Sequence, residues 1–268
     1  MSTTTPTTAS TAPRPRGRVL HDTSLVFQRE LRPLLTNPWS ISFTLVQPLV
    51  FLALFGPLLD QVSGLGTEST LQWFVPGIVV MSALFATSMT GSNLQMEMQT
   101  GAHERLLVAP LTRSSLLLGR ALKEVAPVSV QAVIIVAVAI PFGFRLAPVG
   151  ALVGLAMVAL FGVGLGSLSY ALAVASKGQD WIFWTVQQTL LFPLLLLSGI
   201  LLPLEGAPRW MEVLSSLNPL TYVVAAERLL FDGRIAERAV AEGFVAAGLV
   251  CVVGLWVGIR TMRSGTAG

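Results

Sequence analysis

Residues able to do bond-making chemistry are few in this chain, and they do not fall into a catalytic pattern. The two histidines, His21 and His103, lie far apart in sequence and have no partners at metal-ligand spacing. His103-Glu104 continues as Arg105-Leu106-Leu107, so the zinc-binding helix HExxH is absent. Cys251 is the single cysteine and sits in an apolar run, which excludes an internal disulfide or a thiolate cluster. Ser198-Gly199 has no histidine or lysine placed to activate its hydroxyl, so Ser198 reads as a helix-packing or backbone-bonding serine. There is no GxxxxGK followed by Ser or Thr. The run Gly162-Val163-Gly164-Leu165-Gly166 lacks a preceding strand and polar company, and reads as helix packing rather than a phosphate cradle. Glu97, His103, Glu104 and Glu124 share one stretch but are spaced as a docking surface, not as a general acid and base. No metal or cofactor is expected in the chain itself.

That charged stretch, Glu97 to Glu124, is an island between two long apolar runs. Of the 268 residues 53% are hydrophobic and 12% charged, with a mean hydropathy of +0.72. Soluble domains carry about 25% charged residues, so the composition is that of an integral membrane protein. The net charge of +3 and pI near 9.6 do not point to nucleic acid. The basic residues collect beside apolar segments, where they set orientation in the bilayer.

About twenty uncharged residues cross a hydrocarbon core. Six such spans are expected, at 39–59, 71–95, 125–144, 149–176, 181–204 and 239–259. Pro48, Pro127, Pro141 and Pro193 fall inside them and can kink a helix without ending it. Gly150 and Gly154, Gly162 and Gly166, and Gly254 and Gly258 sit four apart, where they let a neighbouring helix come close. Lys and Arg concentrate on the side that holds both termini and the island, which predicts a multi-pass membrane protein with both termini cytoplasmic.

The first nineteen residues are Ser, Thr and Pro-rich and read as a disordered cytoplasmic tail rather than a cleavable signal. Residues 20–36, which include Arg29, Glu30 and Arg32, read as an amphipathic helix in the membrane interface, apolar side down and basic side toward the lipid phosphates. A six-span membrane domain follows over 37–260, then a short cytoplasmic tail, 261–268. Within the island, Gln99 to Ala109 can make a short helix stopped by Pro110, and a second helix, capped by Ser114 or Ser115, carries Arg113, Arg120 and Lys123 along the membrane surface. A helix pinned between two spans is a lever. On the other side, 207–217 and 220–231 read as short amphipathic helices, the second dipping into the membrane edge with Glu227 and Arg228 exposed or paired.

No charged residue is expected at mid-membrane, which disfavours ion-coupled transport. Gln47, Gln131, Gln187 and Gln188 are the main polar groups at depth, and Gln47, Gln187 and Gln188 are candidates for lining a path suited to a hydrophobic or amphipathic substrate. Such glutamines also serve as hydrogen-bonding glue between helices.

The loop residues Glu97, Thr100-Gly101, Glu104, Leu106-Leu107, Pro110-Leu111, Arg113 and Leu118-Gly119-Arg120 resemble those of ATP-binding-cassette type 2 exporter permeases of the daunorubicin-resistance-like branch. So does the run Pro208, Trp210 and Asn218-Pro219-Leu220-Thr221-Tyr222 through Arg228 to Gly233. The resemblance implies an all-α integral membrane protein of six spans, paired with a second permease copy, identical or closely related, and with a separate nucleotide-binding subunit that binds ATP and Mg. It implies that Gly101, His103, Glu104, Arg105, Leu106 and Leu107 belong to a coupling helix seated in that subunit. It also implies that 20–36 is an interface helix, and that Trp210, Asn218, Pro219, Tyr222 and Arg228 belong to external re-entrant helices. The function implied is ATP-driven export of a drug, antibiotic or lipid-like molecule by alternating access, without an ATPase site in this chain. Export of a polysaccharide or lipid-linked glycan is the alternative within the family, although Trp39, Trp73, Trp181, Trp184, Trp210 and Trp256 mostly fall near span ends, where interfacial anchoring accounts for them. An intramembrane transferase and a passive scaffold are the readings from other classes.

Overall fold

The computed structural model describes residues 16–36, 38–59, 70–102, 113–201, 204 and 206–264. Among the described residues the regular structure is helical: α1 (Arg16–Thr36), α2 (Pro38–Leu59), α3 (Thr70–Gln99), α4 (Arg113–Lys123), α5 (Val125–Ala139), α6 (Pro148–Ala175), α7 (Asp180–Leu196), α8 (Arg209–Ser216), α9 (Pro219–Phe231) and α10 (Arg238–Ser264), with a 3-10 turn at Ile140–Phe142. Helix boundaries follow local chemistry. α3 stops where Gly101 turns left-handed at φ +70, and the N–H groups of Thr100 and Gly101 close onto Met96 and Met98 carbonyls. α9 starts from an Asn218 cap with Pro219 in its first turn, the pairing that suits unsatisfied N–H groups there.

α3 is the axis. In its most apolar eighteen-residue window 89% of residues are buried, against 28% for the segments Ser115–Phe142 and Arg238–Met262. A helix apolar on every side belongs in the middle of a bundle. α2, α5, α6 and α9 pack around it, and α10 packs along α6 and against α9. Thr70–Gln99, Ser115–Phe142, Pro148–Ala175 and Arg238–Met262 are long and apolar enough to cross a membrane. α2 and α7 occupy the two other expected segments. α7 ends at Leu196, eight residues before the expected limit, because the chain turns there: Gly199 takes φ +73, and Ser198 donates its hydroxyl to the Leu195 carbonyl. Ser198 is therefore a backbone-bonding serine. Pro141 also ends a helix rather than kinking it, since the 3-10 turn closes on Gly143 at φ +99.

The glycines set how closely these helices approach. A Cβ on Gly164 would lie 2.6 Å from the Val250 carbonyl carbon, and one on Gly254 2.2 Å from the Gly164 carbonyl oxygen, so α6 and α10 meet backbone to backbone. Gly162, by contrast, faces Val128 and Thr87 at 3.4 and 3.5 Å, so the tight seam runs through Gly164 rather than through the 162/166 pair alone. Gly164→Val should lower the unfolding temperature of the detergent-solubilised protein, by the overpacking cost of about 1–3 kcal/mol or more, because backbone cannot yield. Gly248→Ala, which meets nothing within 4 Å, should leave it unchanged or slightly raised.

Candidate functional site

At one end of the bundle Arg120 is 1% exposed and holds several helices together. Its Nε donates to Glu30 Oε1 of α1 at 3.3 Å and its Nη2 to Glu97 Oε2 of α3. The guanidinium also lies 5.7 Å from the centre of the Tyr170 ring on α6. Lys123, one turn further along α4, stands 3.7 Å from Glu30 Oε2 and 3.9 Å from Glu124 Oε1. The neighbouring Gly119 makes this possible: a Cβ there would lie 2.7 Å from Val26 and 2.9 Å from the Thr23 carbonyl, so α1 can rest directly on α4. The tripeptide Leu118-Gly119-Arg120 thus supplies close approach and a buried charge in successive residues.

This arrangement corrects the reading of Arg120 and Glu124 as charges on a watery loop. Glu124 is 2% exposed, and a Cβ on Gly166 would meet its side chain at 2.9 Å. Arg120 is buried because its two carboxylate partners lie 23 and 90 positions away, beyond any local pattern. The interface-helix trio is divided as well. Arg29 and Arg32 are exposed, whereas Glu30 turns inward to Arg120. Gly101 closes α3; His103, Glu104, Arg105, Leu106 and Leu107 lie outside the described residues.

At the opposite end a second arginine ties helices together. Arg228 of α9 donates from Nε to the Trp73 carbonyl at 3.0 Å and from Nη2 to the Gly199 carbonyl at 2.8 Å, and stacks 3.8 Å above the Trp73 ring. Asn218 caps α9 through Oδ1 and donates Nδ2 to the Leu194 carbonyl at 2.7 Å, Thr221 donates to the Leu197 carbonyl, and Tyr222 donates to the Ser216 carbonyl. The Asn218-to-Tyr222 run is therefore a staple fastening α9 to α8 and to the end of α7. Trp210, on α8, is 62% exposed and takes no part in it. Gln72 of α3 adds bonds to the Arg145 backbone and to Asp232.

The expected path glutamines are not brought together. Gln47 on α2 and Gln188 on α7 are exposed, while Gln187 is buried beside a cavity of about 400 Å³ between α3, α6 and α7. Gln131, also buried, donates to Thr44 at 2.8 Å as interhelical glue. Sequence reasoning missed Glu227. It is neither exposed nor paired: its exposure is 0%, and both oxygens lack a hydrogen-bond partner among the described residues. α9 has only thirteen residues and is too short to cross a bilayer, yet burial against the bundle pushes the Glu227 carboxyl up to about 8. Nothing local in the sequence of α9 said that Glu227 would be enclosed without a partner.

A buried axial helix gripped near both ends by arginines, among four segments long and apolar enough to cross a membrane, defines a multi-span membrane protein. The model of the ABC-2 type transporter family matches residues 21–231, an interval containing both arginine clusters, and the chain belongs to that family. It is 29% identical over 213 residues to a daunorubicin resistance ABC transporter permease of Streptomyces coeruleorubidus, covering 78% of this chain and 71% of that one. It is 34% identical over 203 residues to a putative transport permease of Cyanophora paradoxa, covering 73% and 69%. With a probable doxorubicin resistance ABC transporter permease of Mycobacterium tuberculosis it shares 23% identity over 222 residues, covering 81% and 80%.

Two outcomes follow. Arg120→Met should cost more than about 1 kcal/mol, because it strips both Glu30 and Glu97 of a buried partner and leaves Glu30 with Lys123 alone, whereas Glu97→Gln should cost less, the Glu97 side chain being 28% exposed. Thermal unfolding in detergent, with protease access to α1 as a second reading, checks the order. For Glu227 the folded carboxyl binds its proton more tightly than the unfolded one, so its contribution to stability is full below the ordinary carboxyl range and is lost as pH rises through about 8. Glu227→Gln lacks that dependence, so its unfolding temperature relative to wild type should climb between pH 6 and pH 9. A constant difference would show that the carboxyl is not held in its neutral form.

Proposed function

We propose that this chain is the membrane-spanning subunit of an ATP-driven exporter for a hydrophobic or amphipathic compound. The observation that carries the reading is the Arg120 bridge. The loop at 100–112 leaves α3 just after Glu97 and enters α4 just before Arg120, and those two side chains are bonded to each other. A force on the loop is thus delivered to α1, α3 and α4 as one body, because a buried ion pair resists separation far more than a solvated one. The body of the loop, with His103, Glu104, Arg105, Leu106 and Leu107, is the docking element for a separate nucleotide-binding subunit, where ATP and Mg are bound. Support comes from family membership and from relatives named for daunorubicin and doxorubicin resistance.

In this reading α2 and α7 complete six spans, both termini and the loop face the cytoplasm of a bacterial cell, and α8 and α9 lie on the outer side. Two permease copies face each other across the exposed sides of α2 and α7, which carry Gln47 and Gln188 among apolar residues such as Val46, Val50, Leu190 and Phe192. Substrate moves along that seam by alternating access, and Gln187 contributes from its buried position beside the neighbouring cavity.

The test is ATP hydrolysis by the nucleotide-binding partner in lipid, with and without this chain. Hydrolysis should be stimulated by the wild-type chain and fall about tenfold, or lose its response to substrate, with Glu104→Ala and Arg105→Ala, as expected for loss of charged contacts at a docking surface. Failure of every candidate partner to form a complex would remove the energy source and overturn the reading. His103→Gln should be tolerated, since a docking residue needs shape and hydrogen bonding rather than a titrating base.

A further inference from the structure

Glu227 lines a cavity of about 440 Å³ enclosed by α3, α5, α6 and α9 near the α5–α6 turn. Its carboxyl is the single ionisable group in a lining that is otherwise apolar, with Val79, Ala132, Val136, Leu155 and Phe231 among the walls. The group is placed, not squeezed in by accident: a Cβ on Gly154 would lie 2.3 Å from Glu227 Oε2, so α6 has a glycine where the carboxyl needs room. The adjacent Arg228 does not serve it, being turned to Trp73 and Gly199. On α10, Glu242 is paired with Arg238. The cavity reaches the outer surface of the bundle past Val133 and Leu152, which are 60% and 69% exposed. Those side chains belong to segments apolar enough to lie in the bilayer, so the entrance is open to lipid rather than to water.

We propose that this cavity is a binding site for a lipophilic primary or secondary amine, with the amine nitrogen on Glu227 and the hydrocarbon body along α5 and α6. A buried carboxyl without a partner is costly, and the group that relieves it must bring N–H donors and positive charge. Both oxygens are buried and lack a hydrogen-bond partner among the described residues, a deficit that an ammonium with two or three donors relieves and a quaternary ammonium with none does not. An anionic amphiphile brings neither donors nor positive charge. The encounter also conserves charge in the membrane: the neutral acid and the neutral amine meet, the proton passes from the carboxyl oxygen to the nitrogen, and the resulting pair carries no net charge. A volume of this size accommodates a medium alkyl chain or a small ring system. The site does not depend on the transport reading, because binding is a property of this chain alone.

The experiment compares dodecylamine with 1-dodecanol on the purified full chain in detergent, counting bound molecules by native mass spectrometry at equal probe concentrations. The wild type should bind the amine about tenfold or more in excess of the alcohol, the ratio expected for one buried charge-assisted hydrogen-bonded pair. Glu227→Gln keeps the shape and should bring the amine down to the level of the alcohol. Val133→Trp, which plugs the entrance and leaves Glu227 intact, should remove both, and it provides the reading if the Gln variant does not fold. Equal binding of amine and alcohol by the wild type, or an amine preference that survives Glu227→Gln, would overturn the proposal and leave an acyl-chain slot. Retention of the amine by a folded Val133→Trp variant would place the binding elsewhere and overturn it equally.

Discussion

The buried guanidinium of Arg120 is the constraint on which the rest of this structure depends. A charge with 1% exposure is tolerated only when its partners are present, so Glu30 and Glu97 are conditions for folding α4 onto α1 and α3. The consequence is mechanical as much as energetic. α3 is tied to the packed pair α1 and α4 by groups whose separation in a low-dielectric site is expensive. Around that tie, Gly119 brings α1 within contact of α4, and Tyr170 brings α6 to the same point.

The same helix is gripped again at its other end. Arg120 takes Glu97, and Arg228 takes the carbonyl and ring of Trp73, positions separated by about 36 Å along α3 at about 1.5 Å per residue. α3 is packed on nearly every side between them, which makes it a rod with a handle at each end. One handle borders the loop after α3, and the other belongs to the stapled pair α8 and α9. Displacement at one end of a close-packed helix is carried to the other because the interior cannot compress. The glycine seam between α6 and α10 then sets how the outer helices follow.

Glu227 uses burial in the opposite way. Arg120 and Arg228 are enclosed with their acceptors, whereas the Glu227 carboxyl is enclosed without one, against Gly154 and an apolar wall. Beside arginines that are enclosed with partners, an unmatched acid at a cavity is a chemical preference built into the fold. It selects for donors and for positive charge, and the surrounding hydrocarbon selects for apolar bulk.

Hydropathy by itself determined the membrane class and the apolar segments, because twenty apolar residues in a row have one inexpensive environment, and the sequence also placed a helix break at Asn218-Pro219. It also singled out Gly119, Arg120, Asn218 and Arg228 as members of motifs, but not what each one touches. The partners lie far away along the chain: 90 positions separate Glu30 from Arg120, and 155 separate Trp73 from Arg228. No local pattern specifies such pairings. For the same reason Glu124 and Arg120 looked solvated when they are buried, the path glutamines looked related when they point to different surroundings, and Glu227, expected to be exposed or paired, is neither. Whether a charge is solvated, paired or left alone is decided by which helices surround it, and only the tertiary packing of α3, α6 and α9 settles that.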